Sequence, residues 1–242
     1  MEFQRLDQTR FRSKSSIIAD QILQMIRNGE LNAGEKLHPE RIIAEQLGVS
    51  RPSVREAISA LQIVGILETR PGDGTYVTRS SAMDELTQQA MSVLEESDSP
   101  FEILQARKAL EIGVIRLAIE MASDDDLLKI KEAWGAKSEK GKTGEYVAYS
   151  MRGKEFHLSI AKATKNKLIE NIMDKLLDAM NQPLWVNMRR VYYEADDSRI
   201  EEMLKVHEDI VAAILRRDTE KAIQSLEVDF DIVLKQLYYQ DN

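Results

Sequence analysis

The 242-residue sequence contains no cysteine. Disulfides, thiolate zinc sites, iron–sulfur clusters and cysteine nucleophiles are therefore excluded. No apolar run approaches the 18 residues of a membrane-spanning helix, and the N-terminal stretch lacks the apolar segment of a secretory signal peptide. Aromatic residues make up only 6% of the chain, which weakly disfavours carbohydrate-binding platforms. We therefore expect a cytoplasmic protein that does not act at a membrane.

Charge is unevenly distributed along the chain. The formal net charge is -8 at pH 7, yet residues 1–79 contain 11 Lys and Arg against 10 Asp and Glu, and the rest contains 22 against 31. A near-neutral head on an acidic body is typical of a small DNA-reading domain on a body that avoids DNA, although charge alone fits an ordinary acidic protein equally well. The length predicts two domains, 1–79 and 80–242.

The head shows the pattern of a helix-turn-helix. Apolar residues at helical spacing predict a first helix from Lys14 to Arg27, ended by Gly29. Pro39 opens a short second helix at its first position, where a missing N–H costs nothing. Gly48 makes a tight turn, and Ser50 caps a longer third helix. This order of short helix, glycine turn and longer helix is the helix-turn-helix arrangement.

Four polar residues lie at the start of the third helix: Ser50, Arg51, Ser53 and Arg55. The N-terminal residues of a recognition helix reach base edges in the major groove. Arginine can bind guanine through two hydrogen bonds, and hydroxyl and free helical N–H groups suit phosphate. Any one of these arginines fits a solvated helix face equally well, but the set in this position favours DNA contact.

A hairpin is predicted directly after the third helix. Two short β-like runs, 66–70 and 75–77, flank the turn Pro71-Gly72-Asp73-Gly74. A hairpin in this place is a wing, and its Arg70 and glycines can approach the sugar-phosphate backbone closely. The head is thus predicted to be a winged helix-turn-helix, which is α-helical with a small β-hairpin.

These motifs together resemble the DNA-binding domain of the GntR family of bacterial repressors. The resemblance covers residues 34–77, GEKLHPERIIAEQLGVSRPSVREAISALQIVGILETRPGDGTYV, and includes both the helix-turn-helix pattern and the glycine wing in order. It departs at His38, which we interpret as local variation. The resemblance implies that the DNA-contacting positions are Arg41, Ser50, Arg51, Ser53, Arg55 and Gly72.

The body is predicted to be all α-helix, and no strand pattern follows the polar joint 79–81. Periodicity predicts helices over 84–94, 100–121, 124–137, a segment ending at 163, 167–180, 198–216 and 219–238. The segment 138–144 is predicted to be a loop because Gly141 stands between two lysines. The fifth of these helices is interrupted near Pro183. The fold class is therefore mainly α, a winged helix-turn-helix followed by a helical bundle.

The body resembles the FadR-type ligand domain called FCD. The motifs are ARKALE around Arg107, the segment EFH followed by AKATKN, and HEDI leading to Arg217-Asp218. The resemblance implies a divalent metal held by an Asp-x-x-x-His pair and two further histidines. His157 and His207 match this set, whereas Gly153 stands at the aspartate position and Asp229 at the third histidine position.

Two interpretations of this polar set stay open. Helical stripes place His157, His207 and Asp229 on inward faces, where an unpaired charge is costly. Two imidazoles and a carboxylate are suitable ligands for zinc, manganese, nickel or iron. Alternatively, the three groups form a hydrogen-bonded, metal-free cluster that binds a ligand directly, since a His–Asp pair needs no metal.

Arg107 is a further candidate for effector binding. An inward-facing arginine can bind the carboxylate of an organic acid, so we predict an effector site formed by Arg107, His157 and His207. The alternative is a structural salt bridge from Arg107 to Glu111, one turn along the helix. The segment 185–188 either lines the same cavity or belongs to the core.

The function predicted from these observations is a ligand-responsive transcription regulator, acting as a repressor. It binds double-stranded DNA at an inverted repeat as a homodimer, because the two-fold symmetry of the protein matches that of the operator. Its effector is a small carboxylate. One alternative is a metal-dependent enzyme that uses a two-His-one-carboxylate site, and a second is a constitutive DNA-binding dimer without an effector.

Overall fold

A computed structural model describes residues 13–70, 72–78, 83–143, 146–194, 196 and 198–238. Three helices and a hairpin form its N-terminal part, in the order predicted. They are α1 (Lys14–Arg27), α2 (Glu40–Leu47), α3 (Arg51–Ile63), β1 (Leu67–Arg70) and β2 (Gly74–Val77). The remaining elements are helices: α4 (Met83–Glu96), α5 (Pro100–Met121), α6 (Asp124–Lys142), α7 (Tyr146–Ala163), α8 (Lys167–Ala179), α9 (Pro183–Glu194), α10 (Ser198–Leu215) and α11 (Thr219–Tyr238). The predicted fold class is confirmed.

Local sequence signals place the helix-turn-helix as predicted. Gly48 ends α2 in the left-handed conformation, with φ 67°, which glycine adopts without a steric penalty. The Ser50 hydroxyl caps α3 by accepting a hydrogen bond from the Ser53 amide at 3.4 Å. Helix α2 begins at Glu40, so Pro39 lies one residue before the predicted helical position.

The wing is a two-stranded antiparallel hairpin. Leu67 pairs with Val77, and Arg70 pairs with Gly74. Gly72 adopts φ 72° between the strands, as a tight turn requires. Pro71 of the predicted turn and the whole joint 79–81 lie outside the described residues.

The chain divides into two compact units. One contains the residues up to Ser99, the short segment Gln182–Val191 and the last residues of the chain, and the other contains Pro100–Asn181 and Tyr192–Gln236. The core of the first unit is formed by apolar side chains of α1, α2, α3 and the hairpin, joined by Ala90 and Leu94 of α4 and Leu184 of α9. The predicted domain division after residue 79 stays a prediction.

The helices that follow α5 differ from prediction at two places. The predicted loop 138–144 is wrong over its first residues, because α6 continues to Lys142. A Cβ at Gly141 would lie 2.9 Å from Leu204, so the glycine provides room for packing. Helix α9 begins at Pro183, where only an interruption was predicted. Within the described residues, no helix is long and apolar enough to cross a membrane.

Helix α6 begins with a capping box formed by Ser123 and Asp126. The Ser123 amide donates to Asp126 Oδ2 at 2.9 Å, and Asp126 also pairs with Lys165. Hydrogen bonds from Lys165 and Ser123 lower the pKa of Asp126 to about 2 from its usual 3.8. The carboxylate therefore stabilises the fold above pH about 3.8, and this stabilisation is lost as the pH falls towards 2.

We expect an Asp126→Ala variant to unfold more easily at pH 7, by about 1 kcal/mol, because the hydrogen bond from the Ser123 amide to the Asp126 carboxylate is lost, whereas the backbone amide of residue 126 keeps its bond to the Ser123 hydroxyl. The difference from wild type should shrink as the pH approaches 2. Denaturant unfolding at pH 7 and pH 3 measures both effects. Asp125→Ala is the matched control, since exposed Asp125 contacts only Lys129 among the described residues, at 2.5 Å. An equal loss in both variants would show that general helix-end charge, not the box, is responsible.

Candidate functional site

The predicted DNA-contacting side chains of the recognition helix lie at the exposed start of α3. Ser50 is exposed, and Arg51 and Ser53 are partly exposed. The Ser50 and Ser53 hydroxyls lie 2.9 Å apart, on the first turn of the helix. Arg41 on α2 is exposed and forms an ion pair with Glu45 at 2.6 Å. Their contact with DNA stays a prediction.

Arg55 has a different environment from the other arginines. It is only 6% exposed and forms an ion pair with Glu40, which is 4% exposed. Arg55 Nε donates to Glu40 Oε1 at 2.9 Å, and a second contact joins Nη2 to Oε2. This two-point contact fastens the start of α2 to α3. To contact DNA as predicted, the Arg55 guanidinium has either to reach DNA while it is paired with Glu40 or to leave this ion pair first.

The wing presents an exposed arginine. The guanidinium of Arg70 lies 4.3 Å from the centre of the Tyr76 ring, a cation–π arrangement that limits its motion. The Tyr76 hydroxyl in turn donates to Asp73 at 2.7 Å. Gly72, which is exposed, adds no side chain at its position in the turn. This geometry suits close approach to a phosphate backbone, the role predicted for both residues.

Three helices of the second unit bring the predicted metal ligands together. His157 lies on α7, His207 on α10 and Asp229 on α11, and all three are buried. One ligand atom from each residue lies within 4.8 Å of the other two. His207 and Asp229 follow His157 by 50 and 72 positions in the chain, yet the three residues form a single polar cluster inside an apolar bundle. The inward direction predicted for all three side chains is confirmed.

The hydrogen bonds of this cluster determine which of its nitrogen and oxygen atoms carry a lone pair towards its centre. His207 Nδ1 lies 2.9 Å from the carbonyl oxygen of Met203, which can only accept, so Nδ1 holds the proton and Nε2 presents its lone pair. Burial, with nearby Lys137, lowers the pKa of His207 well below 6.5. Burial raises the pKa of Asp229. Asp229 Oδ1, 3.6 Å from His207 Nε2, has no hydrogen-bond partner among the described residues.

Arg107 takes part in a buried ion pair beside the cluster. Its Nε donates to Glu111 Oε1 at 2.7 Å, and His157 Nδ1 lies 3.2 Å from Glu111 Oε2. Burial alone would raise the pKa of Glu111, but Arg107 and His157 lower it to about 2. The salt bridge weighed above as the alternative for Arg107 is therefore present. A role for Arg107 in effector binding stays a prediction.

A small cavity opens beside His157. Its volume is about 10 Å³, room for roughly one water molecule. The lining residues are Glu111, Val114, Ile115, Phe156, His157, Ile160, Met173, Ile210 and Leu226. An organic acid needs more space than this, so its entry must move side chains or helices. Trp185 and Met188 do not line the cavity; both are buried in the first unit, in agreement with their interpretation as core residues.

Sequence reasoning missed Lys137, which the structure places against the cluster. This lysine of α6 is buried, and its Nζ lies 2.8 Å from His207 Nε2. The signal was its spacing: Lys137 follows buried Ile130 and partly buried Trp134 at helical intervals, on the inward stripe of α6. Because a loop was predicted from residue 138, the inward stripe was not recognised at the end of the predicted helix. Trp134 also stacks on His207, with ring centres 5.8 Å apart.

Both parts of the chain match known protein families. Residues 14–77 match the bacterial regulatory proteins of the gntR family, and residues 102–230, more than half of the chain, match the FCD domain. The chain belongs to the GntR family. It is a transcriptional regulator with a GntR DNA-binding domain and an FCD effector-binding domain, as the resemblance predicted.

Relatives of this GntR-family chain are regulators rather than enzymes. The HTH-type transcriptional regulator LutR of Bacillus subtilis is 32% identical over 198 residues, which cover 78% of this chain and 85% of LutR. The Uxu operon transcriptional regulator of Escherichia coli is 34% identical over 203 residues, which cover 83% of this chain and 77% of the relative. The prediction that the protein is not an enzyme agrees with both.

Solved structures share the fold. Escherichia coli McbR/YncC superposes with a TM-score of 0.51 at 22% identity and covers 96% of this chain and 100% of its own. Lar, described as controlling expression of the Listeria monocytogenes agr system, gives a TM-score of 0.52 at 19% identity with the same coverage. At these identities the likeness establishes the fold alone.

Proposed function

We propose that this GntR-family regulator is a repressor whose FCD domain binds a small carboxylate effector at the buried cluster of His157, His207 and Asp229. The observation that supports this proposal is the cluster itself. An apolar bundle gains nothing in stability from three buried ionisable groups, and Asp229 Oδ1 has no hydrogen-bond partner among the described residues. Buried polar groups left in this way are typical of ligand sites.

The donor set fits a divalent metal. The neutral imidazole of His207 presents a lone pair, and His157 and Asp229 supply a second nitrogen and an oxygen within 4.8 Å. Zinc, manganese, nickel and iron accept this combination of ligands. When bound, the metal would supply a positive centre for the effector's carboxylate. Gly153, at the family's aspartate position, offers no fourth side-chain ligand.

Direct binding of the effector without a metal is the second candidate, and one observation favours it. The amine of Lys137 already lies 2.8 Å from His207 Nε2, so the site has a cationic group of its own. Together with Arg107, it could bind a carboxylate by charge-assisted hydrogen bonds.

The small size of the cavity suggests how an effector controls DNA binding. Because about 10 Å³ admits no organic acid, an effector has to displace side chains or helices around the cluster, and we propose that the helices shift. In a homodimer on an inverted repeat, such a shift would change the spacing of the two recognition helices and weaken operator binding. We place this repressor in the cytoplasm, where its operator lies.

We expect the purified protein, after incubation with zinc, to hold about one metal ion per chain, and a His157→Ala, His207→Ala double variant to hold none. Elemental analysis of both proteins measures this. His38→Ala is the matched control, because His38 is the only other histidine and lies in the DNA-binding domain. Metal retained by the double variant, or absent from wild type with zinc, manganese and nickel alike, would rule out the metal route.

The effector is sought separately, by thermal shift with a panel of organic acids and by titration of the inverted repeat that wild type selects from a randomised duplex pool. An acid that raises the melting temperature and releases the DNA supports the proposed repressor. An acid that tightens DNA binding would identify an effector but contradict repression relieved by it. No response to any acid would favour the constitutive dimer.

A further inference from the structure

Lys137 makes a specific contact with the buried cluster. Its side chain is 4% exposed, and Nζ lies 2.8 Å from His207 Nε2. An ammonium group has donors only. Since His207 Nδ1 faces the Met203 carbonyl at 2.9 Å, the lone pair on Nε2 is the acceptor for Lys137. This is the same lone pair that a metal ion bound to Nε2 would need.

The surroundings hold the ammonium in this place. It lies 5.0 Å from the centre of the Tyr149 ring and 5.4 Å from that of Phe156, and aromatic faces attract a cation when water is excluded. Gly153 lies beside the amine: a Cβ at this position would be in ordinary van der Waals contact with Lys137 Cε and Nζ, at 3.8 Å.

We propose that Lys137 competes with divalent metal for His207 Nε2 and so sets a weak metal affinity for the cluster. This inference rests on the proposed use of His157, His207 and Asp229 as a ligand site. A hydrogen bond and a metal bond cannot share one lone pair, and a divalent ion bound beside an ammonium would be strongly repelled at low dielectric. Metal can therefore bind only after the amine has moved away from His207.

Replacing Lys137 with a neutral residue tests this competition. We expect Lys137→Met and Lys137→Gln to bind zinc at least tenfold more tightly than wild type, as measured by competition with a chromophoric chelator. Two variants guard against a fold defect in one of them, and their melting curves report the fold. Lys129→Met is the matched control on the same helix, because exposed Lys129 pairs with Asp125, and its affinity should equal that of wild type.

Each outcome separates the competition from the proposed site. Tighter zinc binding by the neutral variants than by wild type supports the competition. Zinc binding by the neutral variants alone also supports it, but contradicts the use of a metal by wild type. Equal and measurable zinc affinity in wild type and both variants overturns it, while leaving the metal site in place. No zinc uptake by any of these proteins overturns both the competition and the metal route. Equal tightening in Lys129→Met would attribute the effect to overall charge and also overturn the role of Lys137.

Discussion

An Arg51→Ala variant is expected to bind the selected operator about 10- to 100-fold more weakly than wild type, because a bidentate contact to guanine contributes about 1 to 3 kcal/mol of discrimination. Arg51 is the first residue of α3, which places it at the end of the recognition helix that enters the major groove. Affinity for a scrambled duplex should fall much less. Titration of the two duplexes at one fixed salt concentration measures the ratio.

The matched control for Arg51 is Arg27→Ala, which removes the same charge from α1. Arg27 is the last residue of α1 rather than a residue of the recognition helix, and it donates to the Thr87 hydroxyl at 3.0 Å. Equal losses in both variants, or an unchanged operator preference in Arg51→Ala, would contradict the assignment. Arg55→Ala should behave differently again. It removes one partner of the buried ion pair with Glu40, so we expect a loss of about 3 to 5 kcal/mol in stability.

A Glu111→Leu variant is expected to lose about 3 to 5 kcal/mol of stability, because removing one partner of a buried ion pair leaves the other charge uncompensated. Arg107 is 1% exposed and Glu111 is 3% exposed. The pKa of Glu111 is about 2 in the folded chain, against 4.5 ordinarily. Its stabilisation is therefore complete above pH about 4.5 and lost as the pH falls towards 2. Denaturant unfolding at pH 7 and pH 3 should show the gap narrowing.

The double variant Arg107→Met, Glu111→Leu separates the two interpretations of Arg107. Replacement of a buried pair by apolar residues of similar volume is often neutral for stability, so the double variant should recover much of what Glu111→Leu loses. If Arg107 also binds the effector, the recovered protein will no longer respond to the acid that shifts wild type. A stable double variant with an unchanged effector response would leave Arg107 with a structural role only.

Features that depend on residues close together in the chain were predicted well from the sequence. The cap at Ser50, the turn at Gly48 and the boundaries of α1 and α11 depend on neighbours in the chain. The inward direction of His157, His207 and Asp229 followed from helical periodicity. Their convergence within 4.8 Å was suggested by the resemblance, since periodicity alone does not determine which helices are adjacent.

Features that depend on distant contacts were not predictable from the sequence alone. Gly141 suggested a loop, but it lies within α6, where its lack of a side chain leaves room for Leu204 of α10. Pro183 suggested an interruption, although proline is well tolerated in the first turn, where α9 begins. Arg55 fits an exposed recognition face by its position, and only the packing of α2 against α3 shows its pairing with Glu40.

The composition of the first compact unit has a consequence for its synthesis. The segment Gln182–Val191 belongs to this unit, and Asn187 within it donates to Ser59 at 2.9 Å and to Gln62 at 3.0 Å on α3. Because this segment follows Pro100–Asn181 in the chain, the whole of Pro100–Asn181 must emerge from the ribosome before it. At about 5 to 20 residues per second, this takes several seconds. The recognition helix therefore leaves the ribosome before the segment that contacts it, and its hydrogen bonds with Asn187 can form only after Pro100–Asn181 has been made.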